Sequence, residues 1–337
     1  MGTTRIAING FGRIGRNFLR ELFRRNAQQE IEVVAINDLA PSETLAHLLK
    51  YDSVHRSFPE SLEVQEDQLI IQGKAIKILN EKSPANLPWK ELEVDLVLES
   101  TGLFRTRELA SQHLRAGAKQ VLLSAPAQDR DIPSVVLGVN ESILTGKEDV
   151  ISNASCTTNN IAPLFKILED EFGIESAYVT TVHSFTSDQR LHDAPHKDLR
   201  RARAATQSIV PTTTGAAKAI TRILPQLEGK VGGCGIRVPV PNGSLSDISF
   251  IVKKNTTVEE LNACIKRYAD GPMKGVLKYE TDPIVSVDIL GNPYSCVYDS
   301  LLTSVIGRMV KLVGWYDNEI GYSNRLIDLL LKLRAMS

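Results

Sequence analysis

The clearest indication of fold in this 337-residue chain is the motif Gly10-Phe11-Gly12-Arg13-Ile14-Gly15. The stretch follows a short apolar strand, predicted over 5–9, and opens a segment in which Ile14, Phe18 and Leu22 recur every fourth residue. That spacing predicts an amphipathic helix lying on a sheet. A second apolar strand is predicted over 31–36. This order of strand, glycine turn, helix and strand favours a dinucleotide-binding unit.

The glycines of the turn have separate physical roles. Gly10 permits a tight turn, Gly12 lets the backbone approach a pyrophosphate, and Gly15 lets helix and strand pack closely. The helix start also offers N–H groups to an anion. Asp38 ends the second strand 26 positions after Gly12, where a carboxylate accepts hydrogen bonds from the ribose hydroxyls of NAD and repels the extra phosphate of NADP. The sequence therefore predicts NAD, with a purely structural turn and a cap at Asp38 as the alternatives.

The pattern of predicted strands and helices changes near residue 176. Before it, strands predicted over 95–99, 120–124 and 135–139 alternate with helices, which indicates a doubly wound parallel sheet of the Rossmann type. After it, long strands dominate, which favours an α+β arrangement with a mixed or antiparallel sheet. These later strands are predicted over 177–185, 248–253, 284–290 and 309–315, with helices over 258–268 and 320–333.

Composition excludes several classes of partner. Lys and Arg number 39 against 40 Asp and Glu, a formal net charge of −1. A nucleic-acid binder needs a cationic excess, and a membrane span needs about 18 apolar residues in a row, so neither partner is expected. The first ten residues lack a long apolar run behind a basic segment, so we expect no secretory signal there. Cys156, Cys234, Cys264 and Cys296 form neither a metal pair nor a disulfide framework. We therefore expect no metal and a cytoplasmic location.

Cys156 is the strongest candidate for chemistry. It follows an apolar strand and precedes an apolar helical stripe, so we expect it at a helix N-terminus, where the dipole lowers a thiol pKa and makes a thiolate available at neutral pH. A cysteine nucleophile needs a nearby base. His183 lies 27 positions later at the end of a strand, but spacing alone does not separate it from His192 or His196.

Six blocks along the chain resemble phosphorylating glyceraldehyde-3-phosphate dehydrogenase. The resemblance runs from residue 5 to about residue 332. The blocks are NGFGRIGR (9–16), LLKYDS (48–53), SCTTN (155–159), DLRRARA (198–204), PTTTGAAK (211–218) and WYDNE (315–319).

The resemblance implies a fold, an assembly and a reaction. It implies an NAD-binding Rossmann domain over 1–154, a catalytic domain over 155–318, a C-terminal helix over about 319–337 that returns to the first domain, and a homotetramer. Cys156 is then the nucleophile and His183 its base. The reaction converts D-glyceraldehyde 3-phosphate and inorganic phosphate reversibly to 1,3-bisphosphoglycerate through a thiohemiacetal and a thioester, in glycolysis or gluconeogenesis.

The resemblance also assigns binding residues. One anion pocket, for the substrate phosphate, takes Thr186, Asp188 and Arg237. The second, for the attacking phosphate, takes Ser155, Thr157, Arg201, Thr214 and Gly215. The cofactor contacts are Asn9, Gly10, Gly12, Arg13, Ile14, Gly15, Asp38, Lys82, Thr101, Ser124 and Asn318.

Two departures from the family pattern bear on function. Asn160 replaces a second cysteine, which should spare catalysis, and Ala194 before Pro195 leaves some tolerance of NADP open. Two alternatives also stay open from sequence: the sister erythrose-4-phosphate dehydrogenase, which hydrolyses its acyl-enzyme, and a non-catalytic nucleotide- or RNA-binding role. Dependence of turnover on phosphate separates the two enzymes.

Overall fold

The computed structural model describes residues 2–336, which divide into two compact units. The first unit comprises residues 2–135, 142–154 and 323–336, and the second comprises 136–141 and 155–322. Within the described residues, no helix is long and apolar enough to cross a membrane.

The first unit is built on an eight-stranded sheet of order β10-β9-β8-β1-β2-β7-β6-β5. The six strands from β10 to β7 run parallel, and β6 and β5 add an antiparallel edge that the sequence analysis did not predict. Its elements are β1 (Thr4–Asn9), α1 (Arg13–Arg24), β2 (Ile31–Asn37), α2 (Ser42–Lys50), β3 (Tyr51–Asp52), β4 (Arg56–Ser57), β5 (Leu62–Gln65), β6 (Gln68–Ile71), β7 (Lys74–Leu79), β8 (Leu96–Glu99), α3 (Arg107–Arg115), β9 (Gln120–Leu123) and β10 (Val150–Ser152).

The predicted helix after the glycine turn is present as α1. Phe18 and Leu22 are buried on it, as the fourfold spacing requires. Because β1, β2 and β8 are parallel neighbours, their carboxyl ends meet at one edge of the sheet, and α1 begins at that edge.

The second unit is built on a mixed sheet of order β12-β13-β11-β14-β18-β16-β15, with β17 paired to β18. The pairs β11–β13 and β15–β16 are parallel and the others antiparallel. Its elements are α4 (Cys156–Glu171), β11 (Ile174–Ser184), β12 (Val210–Thr212), α5 (Ala216–Ile223), β13 (Val231–Val238), β14 (Ser244–Val252), α6 (Val258–Asp270), β15 (Leu277–Glu280), β16 (Cys296–Asp299), β17 (Ser304–Ile306) and β18 (Met309–Tyr316).

α4 packs against the sheet of the second unit. Phe165 of α4 meets Phe250 of β14 edge to face, with ring centroids 4.8 Å apart. Ile161, Leu164 and Leu168 on the same helix are fully buried. The apolar stripe predicted after Cys156 is therefore the core-facing side of α4.

The last helix, α7 (Ile320–Met336), ends in the first unit. Within that unit, Asp328 accepts a hydrogen bond from Arg25 at 2.6 Å, and Asn324 donates to Glu21 at 2.7 Å. Leu326, Leu330 and Leu333 are buried.

Two strand predictions are wrong. Residues 135–139 form turns because Gly138 has a φ of +81°, in the left-handed region that an extended strand excludes. Residues 284–290 contain a short 3₁₀ turn, Ser286–Ile289, in which the Asp288 carboxylate accepts a hydrogen bond from Val285 N at 2.8 Å. In both cases local turn chemistry overrides an apolar pattern.

Candidate active site

Cys156 is the first residue of α4, as predicted. Ser155 is the N-cap, and its side chain accepts a hydrogen bond from Thr158 N at 3.1 Å. Capping of this kind fixes the first turn and holds the cysteine where the backbone N–H groups of the helix start converge.

His183 lies near the carboxyl end of β11 and faces the cysteine. Its Nε2 is 3.6 Å from Cys156 Sγ, and its Nδ1 is 2.7 Å from the Ser184 carbonyl oxygen. Nδ1 also lies 2.9 Å from Arg237 Nη1. We place the hydrogen on Nδ1, because its contact with the Ser184 carbonyl is the shorter one and a carbonyl only accepts; the Nε2 lone pair is then directed at the thiol. Of the histidines that spacing left open, His192 is exposed and His196 accepts a hydrogen bond from Asp198 N.

Burial dominates the protonation of both groups. It raises the pKa of the Cys156 thiol, against the opposing effects of the Arg237 charge and hydrogen bonds from Thr157. Burial, together with the charge of Arg237, lowers the pKa of His183 to about 3. The sequence prediction considered only the helix terminus, which lowers a thiol pKa; burial acts on Cys156 in the opposite direction.

Arg237 adjoins this pair from the neighbouring strand β13, in register with His183. Its Nη1 donates to the Ser184 carbonyl at 3.0 Å and lies 3.5 Å from Thr186 Oγ1. Burial lowers the pKa of Arg237, and the charge of Arg201 lowers it further. Two guanidinium groups held close enough to repel each other favour a bound anion.

Arg201 lies on the loop between β11 and β12, and several neighbouring groups hold its guanidinium. Its Nε donates to Thr212 Oγ1 at 3.0 Å, its Nη2 donates to the Thr213 carbonyl at 3.3 Å, and its Nη1 forms an ion pair with Asp188. The resemblance grouped Asp188 with Thr186 and Arg237. The structure instead places its carboxylate on Arg201, which was assigned to the other pocket.

The remaining predicted anion ligands of this unit have partners of their own. Thr157 Oγ1 is 2.9 Å from Tyr316 Oη, and Thr214 Oγ1 accepts a hydrogen bond from Ala216 N at 3.2 Å. Gly215 precedes α5, and a Cβ built on it meets no atom within 4 Å. The Thr214–Gly215 segment is therefore the open start of a helix, a geometry that suits an anion.

The glycine turn of the first unit fits a dinucleotide. Gly10 has a φ of +91°, and a Cβ there would lie 2.7 Å from Thr101 N. A Cβ on Gly15 would lie 2.5 Å from the Gly10 carbonyl oxygen. A Cβ on Gly12 meets nothing within 4 Å, so the space beside this residue is open for a pyrophosphate.

Asp38 lies directly after β2, at the same edge of the sheet. Its carboxylate accepts hydrogen bonds from Phe11 N at 2.7 Å and Ala40 N at 3.0 Å. Two backbone donors fix its orientation, and each oxygen keeps a lone pair for a ribose hydroxyl. Asp38 and the glycine turn together supply the donor and acceptor set of a dinucleotide site.

The other residues predicted to contact the cofactor differ in their exposure and in their bonding partners. Arg13 forms an ion pair at 2.5 Å with Asp52, which lies on the hairpin of β3 and β4. Ile14 follows it on α1, Ser124 N donates to the Glu99 carbonyl at 2.9 Å, and Lys82 is exposed. In the second unit, Asn318 Oδ1 accepts from the hydroxyls of Ser184 and Ser244 at 2.9 and 2.8 Å.

Comparison with known proteins decides the family. Residues 4–107 match the NAD binding domain of glyceraldehyde 3-phosphate dehydrogenase, and residues 155–318 match its C-terminal domain. The chain is 56% identical over 333 residues to glyceraldehyde-3-phosphate dehydrogenase of Thermotoga maritima, covering 98% of this chain and 99% of the relative. The chain belongs to the glyceraldehyde-3-phosphate dehydrogenase family. The enzyme of Mycobacterium avium is 54% identical over 332 residues, covering 97% of this chain and 98% of the relative.

Membership of the glyceraldehyde-3-phosphate dehydrogenase family confirms the predicted resemblance, the two-part α/β fold and NAD as the cofactor.

Sequence reasoning missed one residue beneath the dinucleotide turn, Glu99, which ends the otherwise apolar strand β8 and is 1% exposed. An acidic residue closing an apolar strand, next to the segment Ser100-Thr101-Gly102, was the available signal.

Proposed function

We propose that this protein catalyses the NAD-dependent oxidative phosphorylation of D-glyceraldehyde 3-phosphate to 1,3-bisphosphoglycerate, reversibly. The observation that carries the proposal is the 3.6 Å approach of His183 Nε2 to Cys156 Sγ, beside the guanidinium of Arg237. Acyl transfer to phosphate requires a nucleophile, a base to activate it and cationic groups that bind phosphate. Cys156, His183 and Arg237 are side chains of these three kinds.

The first step forms a covalent bond to the substrate. Cys156 Sγ attacks the aldehyde carbon as its proton passes to His183 Nε2, and His183 then delivers that proton to the former carbonyl oxygen, which gives a thiohemiacetal. His183 is placed for this role because its Nε2 lies 3.6 Å from Cys156 Sγ, and a general base must lie within reach of the proton that it takes. Its hydrogen bond from Nδ1 to the Ser184 carbonyl stabilises the imidazolium that forms.

NAD⁺, when bound, supplies the two-electron oxidant for the aldehyde carbon. We propose that the glycine turn and Asp38 hold it, since a Gly12 side chain would fill the space for its pyrophosphate. The proposed contacts are the residues assigned by resemblance: Asn9, Gly10, Gly12, Arg13, Ile14, Gly15, Asp38, Lys82, Thr101, Ser124 and Asn318.

The last step transfers the acyl group from sulfur to phosphate. A phosphate oxygen attacks the thioester carbon, the C–S bond breaks, and Cys156 leaves as a thiolate that is reprotonated for the next cycle. We propose that Thr186 and Arg237 bind the substrate phosphate. We propose Ser155, Thr157, Arg201, Thr214 and Gly215 for the attacking phosphate. The acyl phosphate keeps the free energy that hydrolysis would dissipate.

The covalent intermediate gives a direct test of this chemistry. Mixing the enzyme with NAD and glyceraldehyde 3-phosphate, without inorganic phosphate, should release about one NADH per active site. Peptide mass spectrometry should then find the glyceroyl adduct on Cys156. An adduct on another residue, or no adduct with a full NADH burst, contradicts the proposal.

Asp188 competes with phosphate for Arg201 through their ion pair. We expect Asp188→Asn to lower the KM for inorganic phosphate about 3-fold, because a half-exposed carboxylate is removed from the guanidinium. Asp193→Asn is the matched control, since Asp193 pairs with Arg203 at 2.9 Å on the same loop. Steady-state rates at varied phosphate measure the effect, and a raised KM would show that Asp188 instead orients Arg201.

Asp38 sets the choice between NAD and NADP. We expect Asp38→Ser to reduce the NAD preference, as the ratio of kcat/KM values, about 10-fold, because the repulsion of the NADP 2′-phosphate is lost. Asp95→Asn is the control, since Asp95 precedes β8 at the opposite edge of the sheet. Equal turnover of the two cofactors by the unmutated enzyme contradicts the argument.

We further propose that the protein is a cytoplasmic homotetramer. Apolar side chains on the loop between β11 and β12 support association, since Leu199 is 81% exposed and Ile209 is 70% exposed. Light scattering coupled to size-exclusion chromatography should give a mass of about four chains, and a monomer at micromolar concentration contradicts this proposal.

A further inference from the structure

Glu99 ends β8 directly opposite Asn9 in the parallel register with β1. It is 1% exposed and follows three apolar residues. A carboxylate buried this completely requires several donors, since an unpaired buried charge is strongly unfavourable.

Four neutral groups surround the carboxylate. Oε1 accepts hydrogen bonds from Thr101 N at 2.8 Å and from Thr101 Oγ1 at 2.5 Å. Oε2 accepts from Asn9 Nδ2 at 2.6 Å and lies 3.2 Å from His113 Nε2. His113 Nδ1 accepts from Trp89 Nε1 at 3.0 Å, so the ring hydrogen lies on Nε2 and is donated to Glu99.

Two of the residues that donate to Glu99, Thr101 and Asn9, lie next to the glycine turn. Thr101 N would lie 2.7 Å from a Cβ on Gly10, so the segment after β8 packs directly against the turn. Ser100 Oγ donates to the Gly10 carbonyl at 2.6 Å. Asn9 Oδ1 accepts from Asn37 Nδ2 at 2.7 Å, which links the carboxylate to the residue before Asp38.

We propose that Glu99 is a positioning residue for the dinucleotide: it fixes Thr101 against the glycine turn and Asn9 beside Asn37, and thereby sets the shape of the pyrophosphate and ribose site. This inference rests on the proposed NAD-dependent function. Glu99 itself is covered by its four donors, and it acts through them on the bound cofactor.

Glu99→Gln tests the inference with an isosteric change. The amide presents an NH₂ group to donors on one side, either Thr101 or the pair Asn9 and His113, so one side of the arrangement must shift. We expect the Kd for NAD, by isothermal titration calorimetry, to rise about 10-fold. The KM for NAD should rise by a similar factor, while kcat at saturating NAD changes less than about 2-fold.

Glu21→Gln is the matched control. Glu21 is also buried in the first unit and bonded to Asn324 and Arg24, but it lies about 12 Å along α1 from the first residue of that helix. It should lower the melting temperature and leave the Kd for NAD unchanged. The rate of Cys156 alkylation, a reaction of the second unit, should match the unmutated protein in both variants.

Thr101→Val supplies a second variant if Glu99→Gln does not fold. It removes one hydroxyl donor from Glu99 and should raise the Kd for NAD about 3-fold with the fold intact. In the double variant, the effects should be less than additive, since Glu99 acts partly through Thr101. An unchanged Kd in Glu99→Gln or in Thr101→Val, or an equal loss in Glu21→Gln, overturns the inference. Failure of the unmutated protein to bind NAD overturns the proposed function instead.

Discussion

Cys156→Ser is expected to lower kcat for NADH formation from glyceraldehyde 3-phosphate by about 10⁴-fold or more. A serine hydroxyl at the start of α4 keeps the geometry but is a far weaker nucleophile, because its pKa lies much further above neutrality than that of a thiol. The Kd for NAD should stay within about 2-fold of the unmutated value, since the hydroxyl replaces a sulfur that the proposal gives no role in cofactor binding.

Cys234→Ser is the control for this variant. Cys234 is a free, partly exposed cysteine on β13, with Thr180 Oγ1 3.8 Å from its sulfur. Its substitution should leave kcat within about 2-fold. Retention of phosphorylating activity by Cys156→Ser would contradict the covalent mechanism, because the reaction would then proceed without the Cys156 thiol.

His183→Asn is expected to lower kcat about 10²- to 10⁴-fold, the usual contribution of a general base. Without Nε2, no ring nitrogen lies 3.6 Å from Cys156 Sγ to accept the thiol proton. Burial, which raises the pKa of the thiol, then disfavours the thiolate with no neighbouring imidazolium to stabilise it. Alkylation of Cys156 by iodoacetamide at pH 7 should slow in parallel, since the reagent also reacts with the thiolate.

His192→Asn is the matched control, because His192 is exposed and was the alternative base on spacing alone. Its kcat and alkylation rate should equal those of the unmutated protein. An unchanged alkylation rate in His183→Asn, or a slowed one in His192→Asn, would reassign the base.

Much of the fold was predictable because its signals are local. The glycine turn, the stripe of α1 and the apolar strands around it each report on a few consecutive residues. The start of α4 at Cys156 was predictable for the same reason, since strand, cap and stripe follow one another in sequence. The partnership of Cys156 with His183 needed the family resemblance, because three histidines fit the spacing equally well.

Other features depend on contacts between distant residues. Glu99 bonds to Asn9, 90 positions away in sequence, and nothing in its own strand indicates that partner. Asp188 pairs with Arg201 because the loop between β11 and β12 folds back on itself, which grouping by motif did not capture. The raised pKa of Cys156 comes from burial, and a helix terminus read from sequence does not report burial.

Steady-state NADH formation measured at varied inorganic phosphate distinguishes a phosphorylating enzyme from a hydrolytic one. Without phosphate, turnover of glyceraldehyde 3-phosphate should stop after about one NADH per active site; it should rise to saturation as phosphate is added, and arsenate should restore it. Sustained turnover without either anion would show that water cleaves the acyl-enzyme, as in erythrose-4-phosphate dehydrogenase, and would contradict a phosphorylating enzyme.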